Sequence, residues 1–217
     1  MKISIERAAL LKALGHVQNV VERRNTIPIL SNVLIDANES TITLVATDLD
    51  IEVSEAAIAT VSAPGQVTAP AHTLYDIARK LPDGSQVNLQ INSDGRLDID
   101  AGRSHFTLPL LPSSDFPKMT ADGFTHSFVL KAPELVRLID KTKFAISTEE
   151  TRYYLNGIYM HAHNGKLRTV ATDGHRLALA EMDLPDGAEG LPGVIMPRKT
   201  IAEIRRLIDG SDKDNGI

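Results

Sequence analysis

The sequence predicts an α+β fold in which one domain, antiparallel sheet with two helices, occurs twice. Three observations predict it: an internal repeat, short alternating runs separated by turn residues, and only two segments of helical period per repeat. VATDLDIEV, starting at Val45, returns as VATDGHRLAL at Val170, an offset of 125. ILSNVLI sets Asn32 where YLNGIYM sets Asn156, and Pro70 answers Pro197. APAHTLYDIARKL ends a helix-like run at Leu81, as MPRKTIAEIRRL does at Leu207. Both copies open as a strand followed by a helix, in ISIERAALLKALGHV and in SFVLKAPELVRLIDKTK. Landmarks in one order at nearly constant spacing mark a duplicated unit of about 120–125 residues, the size of a domain. The boundary falls in LPSSDFPKMTADG, Leu111 to Gly123, rich in Pro, Ser, Asp and Gly. Domains are expected over 1–120 and 121–217.

The elements follow in order. Lys2–Glu6 alternates and reads as a strand; Arg7–Val20 reads as a helix with Leu10, Leu14, Val17 and Val21 on one face. Strands are expected at 33–38, 41–47, 50–57 and 65–69, with DANES supplying turn residues between the first two. A second helix, 72–81, turns Leu74, Ile77, Ala78 and Leu81 inward. SQVNLQI, GRLDIDA and RSHFTLPLL are three closing strands. The second unit repeats the plan: strand 126–130, helix 133–144, strands 155–162, 166–172, 175–182 and 192–196, then helix 198–208 with Ile201, Ile204 and Ile208 as its apolar stripe. HNGK, 163–166, is a tight-hairpin signal. The second unit ends at LIDGSDKDNGI with none of the three closing strands. Either the chain is a fragment whose second domain is truncated, or the repeat is degenerate.

Composition narrows the function. Hydrophobic residues make up 42% of the 217 and aromatics only 4%, without Trp, so the core is aliphatic. The absence of Cys excludes disulfides, thiolate metal sites and Cys nucleophiles, and fits a reducing cytosol. MKISIERAALLKAL lacks the apolar stretch of a signal peptide, and no apolar run is long enough for a membrane span; a cytoplasmic protein is expected. The net charge of −5 argues against a nucleic-acid partner until it is divided. The helical segments 7–24, 72–80, 134–143 and 197–208 hold 13 Lys/Arg against 5 Asp/Glu; the remainder holds 10 against 23. Helix propensity favours Lys and Arg on any helix surface. A shared basic helix face would nonetheless suit phosphate backbone without base contacts.

Asp173, His175 and Arg176 look catalytic by proximity. Read as strand residues, Asp173 and His175 share a face and Arg176 takes the other. The earlier copy keeps the acid as Asp48 but has no His or Arg, so Asp48 and Asp173 read as turn residues that bond their own backbone. His161 and His163 could face a metal together, but no third ligand accompanies them, and a solvated strand is the better reading. No P-loop, GxSxG or HExxH motif occurs. No catalytic residue, metal or cofactor is expected. The competing enzymatic reading is a metal-dependent phosphoesterase or other hydrolase built on Asp48, Asp173, His175 and the His161/His163 pair.

MKISIERAALLKAL, TIPILSN, TRYYLNG, RTVATDGHRLA and VIMPRK closely resemble the bacterial DNA sliding clamp family, in order along the whole chain. The resemblance implies the DNA-clamp fold: three similar domains, two protomers joined head to tail in a ring, helices lining the hole and sheet outside. It implies a processivity factor without chemistry of its own. Such a factor encircles double-stranded DNA regardless of sequence and tethers polymerase and clamp-loader subunits through short hydrophobic peptides. It implies that the third domain and the end of the second are absent here. By position, Leu155, Thr172, Gly174, His175, Arg176 and Leu177 match the family's partner-peptide pocket. There Gly174 admits backbone, the leucines supply apolar wall, and His175 and Arg176 supply a donor rim. Arg24, Arg152, Tyr153 and Tyr154 match DNA-touching positions; a strand would turn one of the two tyrosines inward. Thr148, Glu149, His72 and Thr73 depart from the pattern, which weakens the grip or shifts it to Arg23, Arg198 and Lys199. RSHFTLPLL resembles the edge that pairs with the other protomer, with Phe106 and Leu108 as anchors and Arg96 and Arg103 as charge complement. Both anchors could equally sit in their own core. A monomeric peptide-binding adaptor is the remaining alternative.

Overall fold

The computed structural model describes residues 1–23, 26–117, 119 and 123–210. The chain divides into two units, Met1–Thr120 and Ala121–Ile217.

In the first unit, KISIE forms β1 (Lys2–Glu6), with Ile3 and Ile5 buried. Its last residue starts the helix α1 (Arg7–Val17), because the Glu6 carboxylate accepts the Ala9 N–H at 3.1 Å. The helix ends three residues before the expected Val20. β2 (Asn32–Asn38) and β3 (Thr41–Thr47) form a hairpin whose turn places Glu39 at φ 50°. β4 (Glu52–Ile58) continues through Ala59 into β5 (Thr60–Ala63), which the alternation pattern missed because four residues are too few to show a period. The chain changes sheets here: β4 pairs with β3, whereas β5 pairs with β1. β6 (Gly65–Pro70) leads directly into α2 (Ala71–Lys80), and β7 (Gln86–Ile91), β8 (Leu97–Ala101) and β9 (Ser104–Leu108) follow. The two sheets run β5-β1-β7-β8-β9 and β4-β3-β2-β6, all antiparallel. The core is aliphatic, with Leu10, Leu14, Ile35, Leu44, Leu74 and Leu89 all fully buried.

The second unit departs from expectation at its start. Residues 126–130 form no strand. In the first unit β1 is held on both sides, by β5 and β7; among the described residues no strand lies beside 126–130. Its neighbour is a loop: the His126 ring donates to the Glu189 carbonyl at 3.0 Å, and Gly187 lies so close that a Cβ there would stand 2.4 Å from the Ser127 carbonyl. α3 (Ala132–Thr142) starts where the Glu134 carboxylate accepts the Lys131 N–H at 3.1 Å. β10 (Gly157–His163) and β11 (Lys166–Thr172) join through Asn164 and Gly165, both at positive φ, as HNGK predicts. β12 (Leu177–Asp183), β13 (Val194–Pro197) and α4 (Arg198–Gly210) complete the unit, whose sheet order is β12-β11-β10-β13. Ile158, Leu167, Ala171 and Ala178 on one sheet face share a core with Leu138, Ile139, Ile201 and Ile208 of the two helices. The residues that alternate with these sheet positions make up the opposite face.

Candidate binding hollow and nucleic-acid interface

Register decides what that opposite face presents. Leu179, Val170, Tyr159 and Ile195 are paired neighbours across the four strands and make one apolar row. Leu177 opposite Thr172, and Gly157 opposite Pro197, flank it. Tyr159, Leu177, Leu179 and Ile195 are all exposed, Leu177 by 65%. Farther along the strands the face becomes charged, with Arg168 bonded to Glu181 and Lys166 to Asp183. A hollow of about 300 Å³ opens at the apolar end, lined by Tyr154, Leu155, Gly157, Tyr159, Thr172 and Ile195 among others. Two glycines shape it. A Cβ on Gly157 would stand 2.3 Å from the Met196 carbonyl, so only Gly lets β13 approach; a Cβ on Gly193 would strike the Tyr159 hydroxyl at 1.9 Å.

The turn beside the hollow is locked. The Thr172 hydroxyl donates to the Arg176 carbonyl at 2.7 Å and accepts the Gly174 N–H at 3.1 Å. One oxygen of Asp173 accepts the N–H groups of His175 and Arg176, and the other accepts Arg176 Nε at 2.9 Å. These bonds, the two backbone N–H groups first, hold the Asp173 carboxyl down to about 2. Asp173 and Arg176 are thus partners across a turn, not residues on opposite strand faces as the strand reading had it. Asp173 has both oxygens engaged within the turn. Gly174 sits at φ +90°, and the Arg152 guanidinium lies against it. Arg176 continues to the Phe144 carbonyl at 2.7 Å and stacks over the Phe144 ring at 5.6 Å.

The earlier copy builds the same turn with other residues. The Thr47 hydroxyl donates to the Ile51 carbonyl and accepts the Leu49 N–H, and Asp48 accepts the N–H groups of Asp50 and Ile51. Leu49 takes φ 80° where the second unit has Gly174. In the first unit the chain's own segment around Leu111 lies against β6 of the corresponding sheet. Thr68, on β6, both donates to the Leu111 carbonyl at 2.7 Å and accepts its N–H, and Phe116 is buried.

Basic side chains gather elsewhere. Lys143, Arg198, Arg205 and Arg206 line a second hollow, of about 450 Å³, floored by Ile146, Ile201 and Ala202. Much of this charge is already matched: Arg205 pairs with Asp140 and Asp209, Arg206 with Glu203, and Lys143 with Asp140. Arg7 is spent on the C-terminal carbonyls of α2, Ala78 and Arg79, and on Asp83. The basic excess counted along the helices therefore overstates what they offer to an anion. The Glu149 carboxylate binds Arg152 through two nitrogens, at 2.6 and 2.7 Å.

Both units match one protein family, the DNA polymerase III beta subunit: its N-terminal domain over residues 1–120 and its central domain over residues 129–217. The chain belongs to this family. The beta sliding clamp of Caulobacter vibrioides strain NA1000 is 63% identical over 216 residues, covering 97% of this chain and 58% of that protein. The solved structure of Caulobacter crescentus pol III beta superposes with a TM-score of 0.95 at 61% identity, covering 100% of this chain and 60% of that one. A Bartonella birtlesii sliding clamp solved bound to griselimycin gives 0.95 at 51% identity, covering 100% and 58%. The α+β architecture is thus the DNA-clamp fold, and the chain spans about 58% of the length of the curated relatives it matches.

Within this clamp fold the expected site residues divide. Leu155 and Thr172 line the apolar hollow, Leu177 borders it, and Gly174, His175 and Arg176 form the turn at its rim. Tyr159, Val170, Leu179 and Ile195 were missed, although outward apolar residues on strands with period two were the available signal. Tyr153 and Tyr154 lie on a 3-10 turn, Glu150–Leu155, not a strand; neither packs inward, and the rings meet edge to face at 5.7 Å. Tyr154 lines the hollow. Arg24 lies outside the described residues, as do 211–217. His161 stacks on Tyr159 at 4.9 Å, and among the described residues no three His, Asp or Glu side chains converge as metal ligands. β9 is an edge strand, as the pairing edge requires, with Arg96 and Arg103 exposed near it. Its two anchors differ in exposure: Phe106 is 38% exposed, whereas Leu108 belongs to the first unit's core. Phe106 pairs with the buried Ile99 and Leu108 with the buried Leu97, so both lie on the core-facing side of the sheet, with Phe106 the more open of the two on this edge strand.

Proposed function

We propose that this chain is part of a processivity clamp, a non-catalytic accessory subunit of the replicative DNA polymerase acting in the cytoplasm. The clamp encircles double-stranded DNA as a head-to-tail ring of two protomers and tethers polymerase and clamp-loader subunits through short hydrophobic peptides. The observation that carries the reading is the apolar row Leu179–Val170–Tyr159–Ile195, with Leu179, Tyr159 and Ile195 exposed, beside a turn held by its own hydrogen bonds. Large apolar side chains held at the surface next to a hollow, with a polar turn at its rim and charged pairs farther along the same face, suit a peptide with two or three apolar anchors. Arg152, Tyr153, Arg198 and Lys199 are candidates for the DNA side, together with Arg24. Phe106 on the β9 edge is the candidate anchor for ring closure, flanked by Arg96 and Arg103.

The test is fluorescence anisotropy with a labelled short peptide carrying Leu and Phe anchors. Binding should saturate at one peptide per chain, and Leu177→Asp should weaken it about tenfold or more without unfolding the protein. Saturable binding that ignores Leu177→Asp would place the partner surface elsewhere. Retention of the whole protein on circular DNA, with loss from linear DNA having free ends, tests the ring; equal retention on both would refute it.

A further inference from the structure

Arg198 matches the basic positions expected to face DNA, yet its geometry serves the other side of the domain. We propose that Arg198 is a positioning residue for the apolar hollow, holding in place the segment 143–155 whose end forms the hollow's wall. The proposal rests on the reading of that hollow as a peptide site.

The segment leaves α3 and reaches β10 without joining a strand ladder, so its carbonyls need other donors. Two arginines supply them from different elements. Arg176, in the turn at the hollow's rim, bonds the Phe144 carbonyl at 2.7 Å. Arg198, the first residue of α4, places Nη2 between the Ile146 carbonyl at 3.0 Å and the Ser147 carbonyl at 2.9 Å. The hold passes along the chain. The Ser147 N–H donates to the Leu155 carbonyl at 3.0 Å, the Ser147 hydroxyl accepts the Glu149 N–H at 3.1 Å, and the Arg198 N–H donates to the Asn156 carbonyl at 2.9 Å. One residue thereby fixes both ends of the excursion that carries Tyr154 and Leu155 to the hollow. An ammonium is a compact point charge that cannot reproduce a planar nitrogen shared between two carbonyls, whereas it satisfies a phosphate by charge alone.

Arg198→Lys separates the two roles. Peptide affinity should fall about fivefold to tenfold, the scale of losing one or two hydrogen bonds, a larger factor than any change in binding to a short duplex, for which the positive charge is kept. Amide exchange at Ser147 should accelerate by a similar factor. Arg198→Ala should give the same peptide loss with weaker duplex binding; if it does not fold, the lysine variant decides. Unchanged peptide affinity and unchanged Ser147 exchange in Arg198→Lys would overturn the proposal, as would a loss confined to duplex binding. Were the wild-type chain to bind no peptide, the peptide reading would fail by itself. Ser147 exchange would then still decide whether Arg198 positions the segment.

Discussion

Gly157→Ala should cost far more than one methyl group suggests. The added Cβ would stand 2.3 Å from the Met196 carbonyl oxygen and 2.9 Å from the Ile195 side chain. An unstrained carbon–oxygen contact needs about 3.3 Å, so β13 must retreat by about 1 Å. The obstacle is backbone, so no rotamer relieves it. Paired strands sit about 4.8 Å apart, and a retreat of that size takes the nearest ladder bonds outside good geometry. Two such bonds at about 1 kcal/mol each, with some residual overpacking, give a loss of about 2–3 kcal/mol. Urea denaturation reads this as a lower midpoint at constant slope. Because Ile195 lines the hollow, peptide affinity should fall as well. A change below about 0.5 kcal/mol would refute the reasoning, since it would mean that β13 holds no fixed distance from β10.

Further outcomes follow from the same geometry. Gly193→Ala meets the tip of Tyr159 rather than backbone, so the ring should swing away at a cost below about 1 kcal/mol; peptide affinity should fall at least about fivefold, and a large stability loss with unchanged binding would contradict this. Leu49→Gly should stabilise the protein by about 0.5–1 kcal/mol, because Leu49 is half exposed at φ 80°, where a side chain is strained; a lower denaturation midpoint would refute it. The Asp173 carboxyl is held down to about 2, below its ordinary value, so its contribution is present at neutral pH and is lost as pH falls from about 4 through 2. Thermal midpoints of wild type and Asp173→Asn should therefore differ at pH 7 and converge near pH 2; a gap constant across that range would contradict the linkage.

Local patterns made much of this fold legible in the sequence. The hairpin at Asn164–Gly165 needs two positive φ angles, which that dipeptide supplies, and the apolar stripes of α2 and α4 declare their buried faces. Asp173 was legible as a turn residue because its echo, Asp48, keeps the acid without His or Arg. What failed depended on distant partners. Residues 126–130 alternate as β1 does, but alternation makes a strand only when other strands are at hand to pair. Arg198 and Arg7 counted as positive charge in the sequence, yet both donate to carbonyls that only the tertiary fold brings near. Tyr159 and Ile195 were hidden because an exposed apolar row exists only once the register of four strands is set.

The twice-built turn has a consequence for how such a protein can change. In both copies Thr and Asp hold the loop by bonds to its main chain, so the same frame forms whichever residues stand at the three tip positions. Leu49, Asp50 and Ile51 occupy the tip in one unit and Gly174, His175 and Arg176 in the other, on the same backbone circuit. The tip behaves as an exchangeable cassette: mutation can rewrite what the loop touches while the folding problem of the loop stays solved. A duplicated domain with such cassettes can hold one copy to architecture and release the other to acquire partners.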